Sequence, residues 1–306
     1  MLKDFLKYLS FQTFFIGDRL GLHILPKHYY TPVPDYSFLR KNQKLWQKRT
    51  SLAGLNWDLH EQLDWLRKIC EPYYHEVEGL NWYHEAVSKG IGPGYGPIES
   101  QVLHCFVRSL CPSTVIEIGS GVSTACMLRA SDLNHREGRP KSRIISVEPY
   151  PTSELKELEE VLLIEEMCQN VPRSVFDQLK EGDLLFIDST HAVKTGSEVI
   201  ALYLDIIPQL PPNVFIHIHD IYLPYLYPRS MFSDYFASQE TSLVLALLTN
   251  NRHLDVRCCL SALHYDRPAE LKALLRDYRP QDNVEGLGIG DTRNKHFPSS
   301  LWLQTS

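Results

Sequence analysis

The side chains best suited to chemistry fall at the ends of two apolar runs. Asp183 to Asp188 (DLLFID) closes on Asp188, and His191 follows three residues later. Val214 to His219 closes on His219, with Asp220 next in the chain. An imidazole titrates near neutrality and can take a proton from a reacting hydroxyl. His191 is the first candidate for a general base and His219 the second, with Asp188 beside them. A second chemistry uses the same region: Asp188, His219 and Asp220 could converge on one divalent metal. A histidine in the set weakens magnesium, which prefers oxygen ligands. It leaves iron, manganese or zinc. A metal-free acid–base pair stands beside that reading. His217 shares a strand face with His219, about 7 Å further back, and reads as a core histidine.

Another constellation points to binding. Val115-Ile116-Glu117-Ile118-Gly119-Ser120-Gly121-Val122-Ser123-Thr124 runs from an apolar strand through a Gly-Ser-Gly turn into a helical pattern. Glycines let a backbone approach a ligand closely, and a helix start offers free N–H groups. Glu117 is an acid inside the apolar run. A buried carboxylate needs a partner, and a cationic ligand would supply one. Thr124 stands where a dinucleotide fingerprint has its third glycine, which counts against NAD. Glu148 ends the next apolar run, 27 residues past Gly121, where an acid can accept hydrogen bonds from ribose hydroxyls.

The elements that must position these residues alternate. Apolar runs suited to strands (143–147, about 161–165, 183–188, 214–219) are separated by helical patterns from 113 to 220. That alternation predicts a parallel, doubly wound α/β sheet, which binds ligands at the carboxyl ends of its strands. Two later strands, 254–262 and 300–304, are expected to close it. Residues 1–90 read as a helical, aromatic-rich appendage, serving as a cap or a homo-oligomer contact, and 91–306 as the main domain. The loop 90–100 (GIGPGYGPIES) could fold over a bound cofactor.

The Glu-x-Gly-x-Gly pattern resembles motif I of the class I S-adenosylmethionine (SAM) methyltransferases. The stretches GYGPIE, VIEIGSGVST, ISVEPYP, DLLFIDSTHAVKTGSEV, FIHIHDIYLPYLYP and SLWL resemble one bacterial group of that class. Ser189-Thr190-His191 departs from the Ser-Ser-His usual there. The resemblance implies a Rossmann-like sheet, mostly parallel with an antiparallel last strand, and SAM as cofactor. It places Glu117 near the methionine part of SAM. Gly119, Ser120, Gly121, Ser123 and Thr124 would line the cofactor, with Glu148 on the ribose and Asp188 at the strand end. Gln169 and Asn170, after the third strand, would meet the adenine. Some O-methyltransferases of this superfamily hold magnesium at the ends of the strands that carry Asp188 and His219. The expected activity is O-methylation of a small molecule or sugar. Two alternatives stand beside it: an iron- or manganese-dependent enzyme of the same fold with other chemistry, and a nucleotide-binding protein without catalysis.

Composition narrows the partners. A net charge of −6 advertises no broad basic surface for nucleic acid. Seven scattered cysteines without a CxxC pair suit reduced thiols and a cytoplasmic location. No 18-residue apolar run predicts a spanning helix. Residues 1–25 are amphipathic and aromatic, make a poor signal peptide, and read as a docked helix before a membrane-surface one. Tyr222 to Tyr227 and Tyr29-Tyr30 could wall an acceptor pocket, while Arg19 and Arg229 read as solvated charge.

Overall fold

The computed structural model describes residues 2–27, 31, 33–92, 94–228, 231–232, 238–282 and 293–306. Seven strands form one sheet in the order β3-β2-β1-β4-β5-β7-β6. They are β1 Thr114–Ile118, β2 Arg143–Val147, β3 Val161–Ile164, β4 Leu184–Ile187, β5 Phe215–Ile218, β6 Leu254–Cys259 and β7 Leu301–Thr305. The first five pair in parallel, and β7 runs antiparallel to both of its neighbours. The doubly wound sheet and its antiparallel last strand are as the sequence predicts.

All four residues of β4 and of β5 are buried, because parallel sheets are covered on both faces. One face carries Val115, Phe186, His217 and Trp302. The helices α2 (Leu59–Cys70), α4 (Pro97–Leu110) and α5 (Val122–Arg136) pack on it, with α3 (Asn81–Ser88) against α5. The other face carries Ile116, Ile118, Leu185 and Ile187, under the helical stretch 198–209 and α6 (Glu240–Leu248). Cys258 and Cys259 split between the two layers, as the two-residue period requires. His217 is a core histidine: it stacks on Phe186 and its Nε2 meets the Tyr95 hydroxyl at 2.8 Å. Burial pushes its pKa well down.

The chain reverses its winding between β1 and β4. That switch opens a crevice at the carboxyl edge. The ladder runs one residue past four strands. Gly119 N donates to Val147 O (3.0 Å), Glu148 N to Ile164 O (3.1 Å), Asp188 N to Ile118 O (2.9 Å) and His219 N to Ile187 O (2.9 Å). The residues singled out for chemistry are thus held in a row by main-chain hydrogen bonds.

Several boundaries differ from the sequence reading. The run 254–262 is a strand only to Cys259, and Leu260–Asp266 is a helix, α7. The helix expected from Val193 begins at Glu198, where the Ser197 hydroxyl caps it. Residues 190–197 are left as loop, and that brings His191 to the sheet edge.

The chain divides into two compact units, 1–46 and 47–306. Residues 47–90, read from sequence as appendage, lie in the second unit, where α2 packs on α4 and β6. In the first unit α1 (Leu2–Arg19) exposes Phe5, Phe11, Phe15 and Ile16. No helix among the described residues is long and apolar enough to cross a membrane.

Candidate active site

A cavity of about 470 Å³ lies over the carboxyl ends of β1, β2 and β4. Gly119 and Ser120 form its floor, and Ile91, Gly92 and Gly94 of the glycine-rich loop reach over it. Gly119 sits at φ +83°, and a Cβ there would run into the carbonyl oxygen of Asp188. Only glycine meets both conditions. A Cβ on Gly92 would approach Gly121 Cα to 2.8 Å, so loop and turn pack backbone on backbone. Thr152 anchors the loop by donating its hydroxyl to Ile91 O at 2.7 Å.

Glu117 does not face this cavity. It is fully buried, and its oxygens accept from the hydroxyls of Ser123 and Thr124, each at 2.7 Å. Thr124 Oγ1 in turn accepts from Gly121 N at 3.1 Å. The carboxylate therefore shapes the turn from behind, and no cationic ligand is needed to partner it. Gly121, Ser123 and Thr124 likewise do not line the cavity. Four of the expected cofactor contacts are supports for Gly119 and Ser120.

Burial lifts the Glu117 pKa to about 7, against the two hydroxyls that favour the charge. The unfolded chain ionises this acid near 4.5, so ionisation favours unfolding as pH rises from about 4.5 to about 7. Glu117→Gln should remove a decline of about 3 kcal/mol across that window. Urea unfolding at several pH values reads it. An identical decline in wild type and variant would contradict the assignment.

Glu148 lines the cavity; its Oε1 accepts from Tyr150 N at 2.9 Å, and Ser120 Oγ lies 3.4 Å from Oε2. Gln169 also lines it, donating Nε2 to Gly196 O at 3.0 Å. Its buried Oε1 has no partner. That leaves an acceptor beside Met167 and Cys168 for an amino group of a flat ring. Asn170 turns away, donating to Glu166 at 3.0 Å, and does not line the cavity.

The far end of the cavity is a dense charge centre. Asp188 Oδ1 lies 3.1 Å from His219 Nδ1 and 3.4 Å from His191 Nε2. His191 Nδ1 donates to the fully buried Glu240 at 2.5 Å, and Tyr203 OH donates to the other Glu240 oxygen at 2.7 Å. Asp220 accepts from Ser299 Oγ at 2.9 Å and lies 3.7 Å from His191 Nε2. Glu99 stands 3.9 Å from His219 Nε2 and accepts from Ser299 N at 2.9 Å. His191 and Asp220 both adopt positive φ, +57° and +55°. Left-handed backbone at two non-glycine residues is strain of the kind that clusters at functional sites.

This centre changes the roles expected of the histidines. Burial alone would push both imidazoles down. The surrounding carboxylates outweigh it, lifting His219 to about 9 and His191 well above its usual value. Burial raises Asp188, but His219 and His191 overcome that and hold it well below the carboxylate range. These carboxylates favour the charged rings, which works against either histidine as a general base. His191 is not among the residues that line the cavity. Of the expected metal set, Asp188 and His219 stand together. The tightest group is completed by His191 and not by Asp220.

Glu99, Glu240, Tyr203 and Ser299 were not found by sequence reasoning. Glu99 and Glu240 each open an apolar helix, where an acid ordinarily reads as a solvated first-turn charge. Of the aromatic loop, Tyr222 stacks on Phe297 and Tyr225 packs on Tyr265, and neither lines the cavity. Tyr29, Tyr30 and Arg229 lie outside the described residues, and Arg19 is exposed in the first unit.

Residues 116–221 match a family model described as a methyltransferase domain. Among solved structures the chain is similar to an O-methyltransferase from Bacillus cereus in complex with SAH. There the identity is 12% and the TM-score 0.47, over 79% of this chain and 100% of that one. It is also similar to the O-methyltransferase TomG from Streptomyces achromogenes, involved in tomaymycin synthesis, in complex with SAM. That likeness has 11% identity and a TM-score of 0.42, over 82% of this chain and 92% of that one. A third is the SAH-bound methyltransferase PaMTH1 of Podospora anserina, at 16% identity and TM-score 0.36, covering 75% and 93%. No curated protein matches the chain.

Proposed function

We propose that this chain, which carries a methyltransferase domain, takes its methyl group from SAM and places it on a hydroxyl oxygen of a small acceptor. The carrying observation is the continuity of one cavity from Glu148 and Gln169 to Asp188, His219 and Asp220. The residues present fit the cofactor. Glu148 suits the ribose hydroxyls, the unpartnered Gln169 Oε1 suits the adenine amino group, and the Gly119–Ser120 turn lets the backbone approach the methionine part. Bound SAM supplies a methyl group already activated on a sulfonium.

The chain's own task is then positioning and proton removal. His219 presents a charged ring beside the acceptor end of the cavity, and that favours a developing oxyanion. Asp220 lines the cavity there, hydrogen-bonded by Ser299 and by the Tyr222 side chain, and in this reading it accepts the hydroxyl proton. The acceptor is neutral or cationic. The described lining residues include four acids (Glu148, Asp188, Glu198 and Asp220) and neither lysine nor arginine, so a phosphorylated acceptor would meet repulsion. Residues 91–306 carry catalysis in this reading.

Incubation with methyl-labelled SAM and a panel of small alcohols, phenols, sugars and amines tests it. The expected product carries the label on oxygen, with phosphorylated members of the panel inert. Label on nitrogen, or transfer only to phosphorylated acceptors, would contradict it. Glu148→Ala should weaken SAH binding about 10- to 100-fold, the range for hydrogen bonds to a charged group. Calorimetric titration checks this, and unchanged affinity would remove Glu148 from the cofactor site.

A further inference from the structure

We propose that residues 1–46 bind the surface of an anionic lipid bilayer, with helix α1 lying along it. The inference goes beyond the reading of the cavity and does not depend on it.

The apolar surface of this chain is unevenly placed. Eighteen large apolar side chains are exposed among the described residues, and fourteen of them lie in residues 1–46. Scattered single residues of this kind need no explanation, but a gathered patch marks an interaction surface. On α1 (Leu2–Arg19), Phe5, Tyr8, Leu9, Phe15 and Ile16 recur at three- and four-residue steps and form one stripe. Leu6 and Phe11 widen it on either side, while Lys7, Ser10 and Asp18 fall on the remaining side. Each apolar side chain of the stripe is at least half exposed. A docked helix would cover the stripe, and the structure leaves it open. A turn in which Leu22 N donates to Gly17 O at 2.8 Å carries the exposure on to Leu20, Leu22 and Ile24.

Charge selects the occupant. Residues 1–46 hold seven lysines and arginines against three aspartates and no glutamate, a net of +4. The rest of the chain therefore carries −10, to give −6 in all. A second copy of this face would set +4 against +4. Anionic headgroups attract it instead, and each basic side chain near them adds to the binding. The same 46 residues hold ten of the chain's 33 aromatic side chains, the type that settles at headgroup level. The 18 residues of α1 span about 27 Å. Charges at both of its ends and Lys7 within it suit a helix lying in the interface plane, and α1 is not long and apolar enough to cross.

The test floats the full-length chain with vesicles of phosphatidylcholine, alone or mixed equally with phosphatidylglycerol, at low and high salt. The chain should bind the mixed vesicles at least about 10-fold more tightly than the neutral ones, and salt should weaken that binding. Leu9→Glu with Ile16→Glu should lower it roughly 100-fold, with thermal unfolding unchanged because both side chains are exposed. Lys7→Glu with Arg19→Glu should lower it at least about 10-fold. No binding to the mixed vesicles, equal binding to both kinds, or wild-type binding by either double variant would each overturn the inference. A dimer in solution that Leu9→Glu with Ile16→Glu splits, without vesicle binding by the wild type, would give the face to a second copy and overturn it as well.

Discussion

Asp188→Asn is expected to lower methyl transfer by about 10³-fold, within the range for removing a group that acts on proton movement. The substitution keeps shape and removes charge. Asp188 Oδ1 is the shared partner of His191 and His219, whose rings are 6.4 Å apart. Without its charge the two rings lose their shared carboxylate partner, with Glu240 still holding His191 Nδ1. The acceptor end of the cavity then loses its positive pole. Labelled methyl transfer in wild type and variant measures the effect, with thermal unfolding as the control for folding. A loss smaller than about five-fold would show that Asp188 only packs there.

The second large effect is on stability. Arg108 is 1% exposed. Its guanidinium donates to Glu76 through Nε and Nη2, to Glu137 at 2.6 Å and to the Asn134 side chain. His104 meets the same Glu76 at 2.7 Å. Arg108→Met should cost about 3–5 kcal/mol, because removing one partner strands a desolvated carboxylate. For a chain of this size that is a fall in Tm of roughly 6–15 °C.

Glu76 adds a pH signature to this variant. Burial raises its pKa, but His104 and Arg108 outweigh that and bring it to about 2. A depressed acid stabilises the fold above its unfolded pKa of 4.5, and the contribution is lost as pH falls through about 2. Arg108→Met should shrink that acid-sensitive window. Denaturant unfolding between pH 2 and 6 measures both. A variant within 1 kcal/mol of wild type would show that the network adds nothing net.

The parts of this molecule legible in the sequence are those set by local pattern. The strand–turn–helix at Gly119, the acid closing β2 at Glu148 and the acid and imidazole closing β4 and β5 follow from strand periodicity and from where ligands bind in such sheets. Side-chain direction was harder to read. Glu117 alternates to the face under α5, away from the cavity, because a one-residue step reverses a strand side chain. The hydroxyls of Ser123 and Thr124 then satisfy it locally. Asn170 and Gln169 are adjacent, yet only Gln169 turns inward. His191, His219 and Asp220 were legible as neighbours of Asp188, but the groups behind them were not. Glu99, Glu240 and Ser299 come from the start of α4, the start of α6 and the segment before β7. Only the closed sheet brings them to two histidines, where Glu99 and Glu240 add to the pull of Asp188 and Asp220 on the ring protons.

The central claim is that this cavity binds a SAM-type ligand. Calorimetric titration of the untagged protein with SAH, then SAM, then NAD tests it most directly. One site per chain is expected for SAH and for SAM, and none for NAD. At 100 times the dissociation constant the ligand should stabilise the fold by about 2.7 kcal/mol, visible as a rise in Tm. Absence of binding by both SAH and SAM, or binding of NAD in their place, would contradict it.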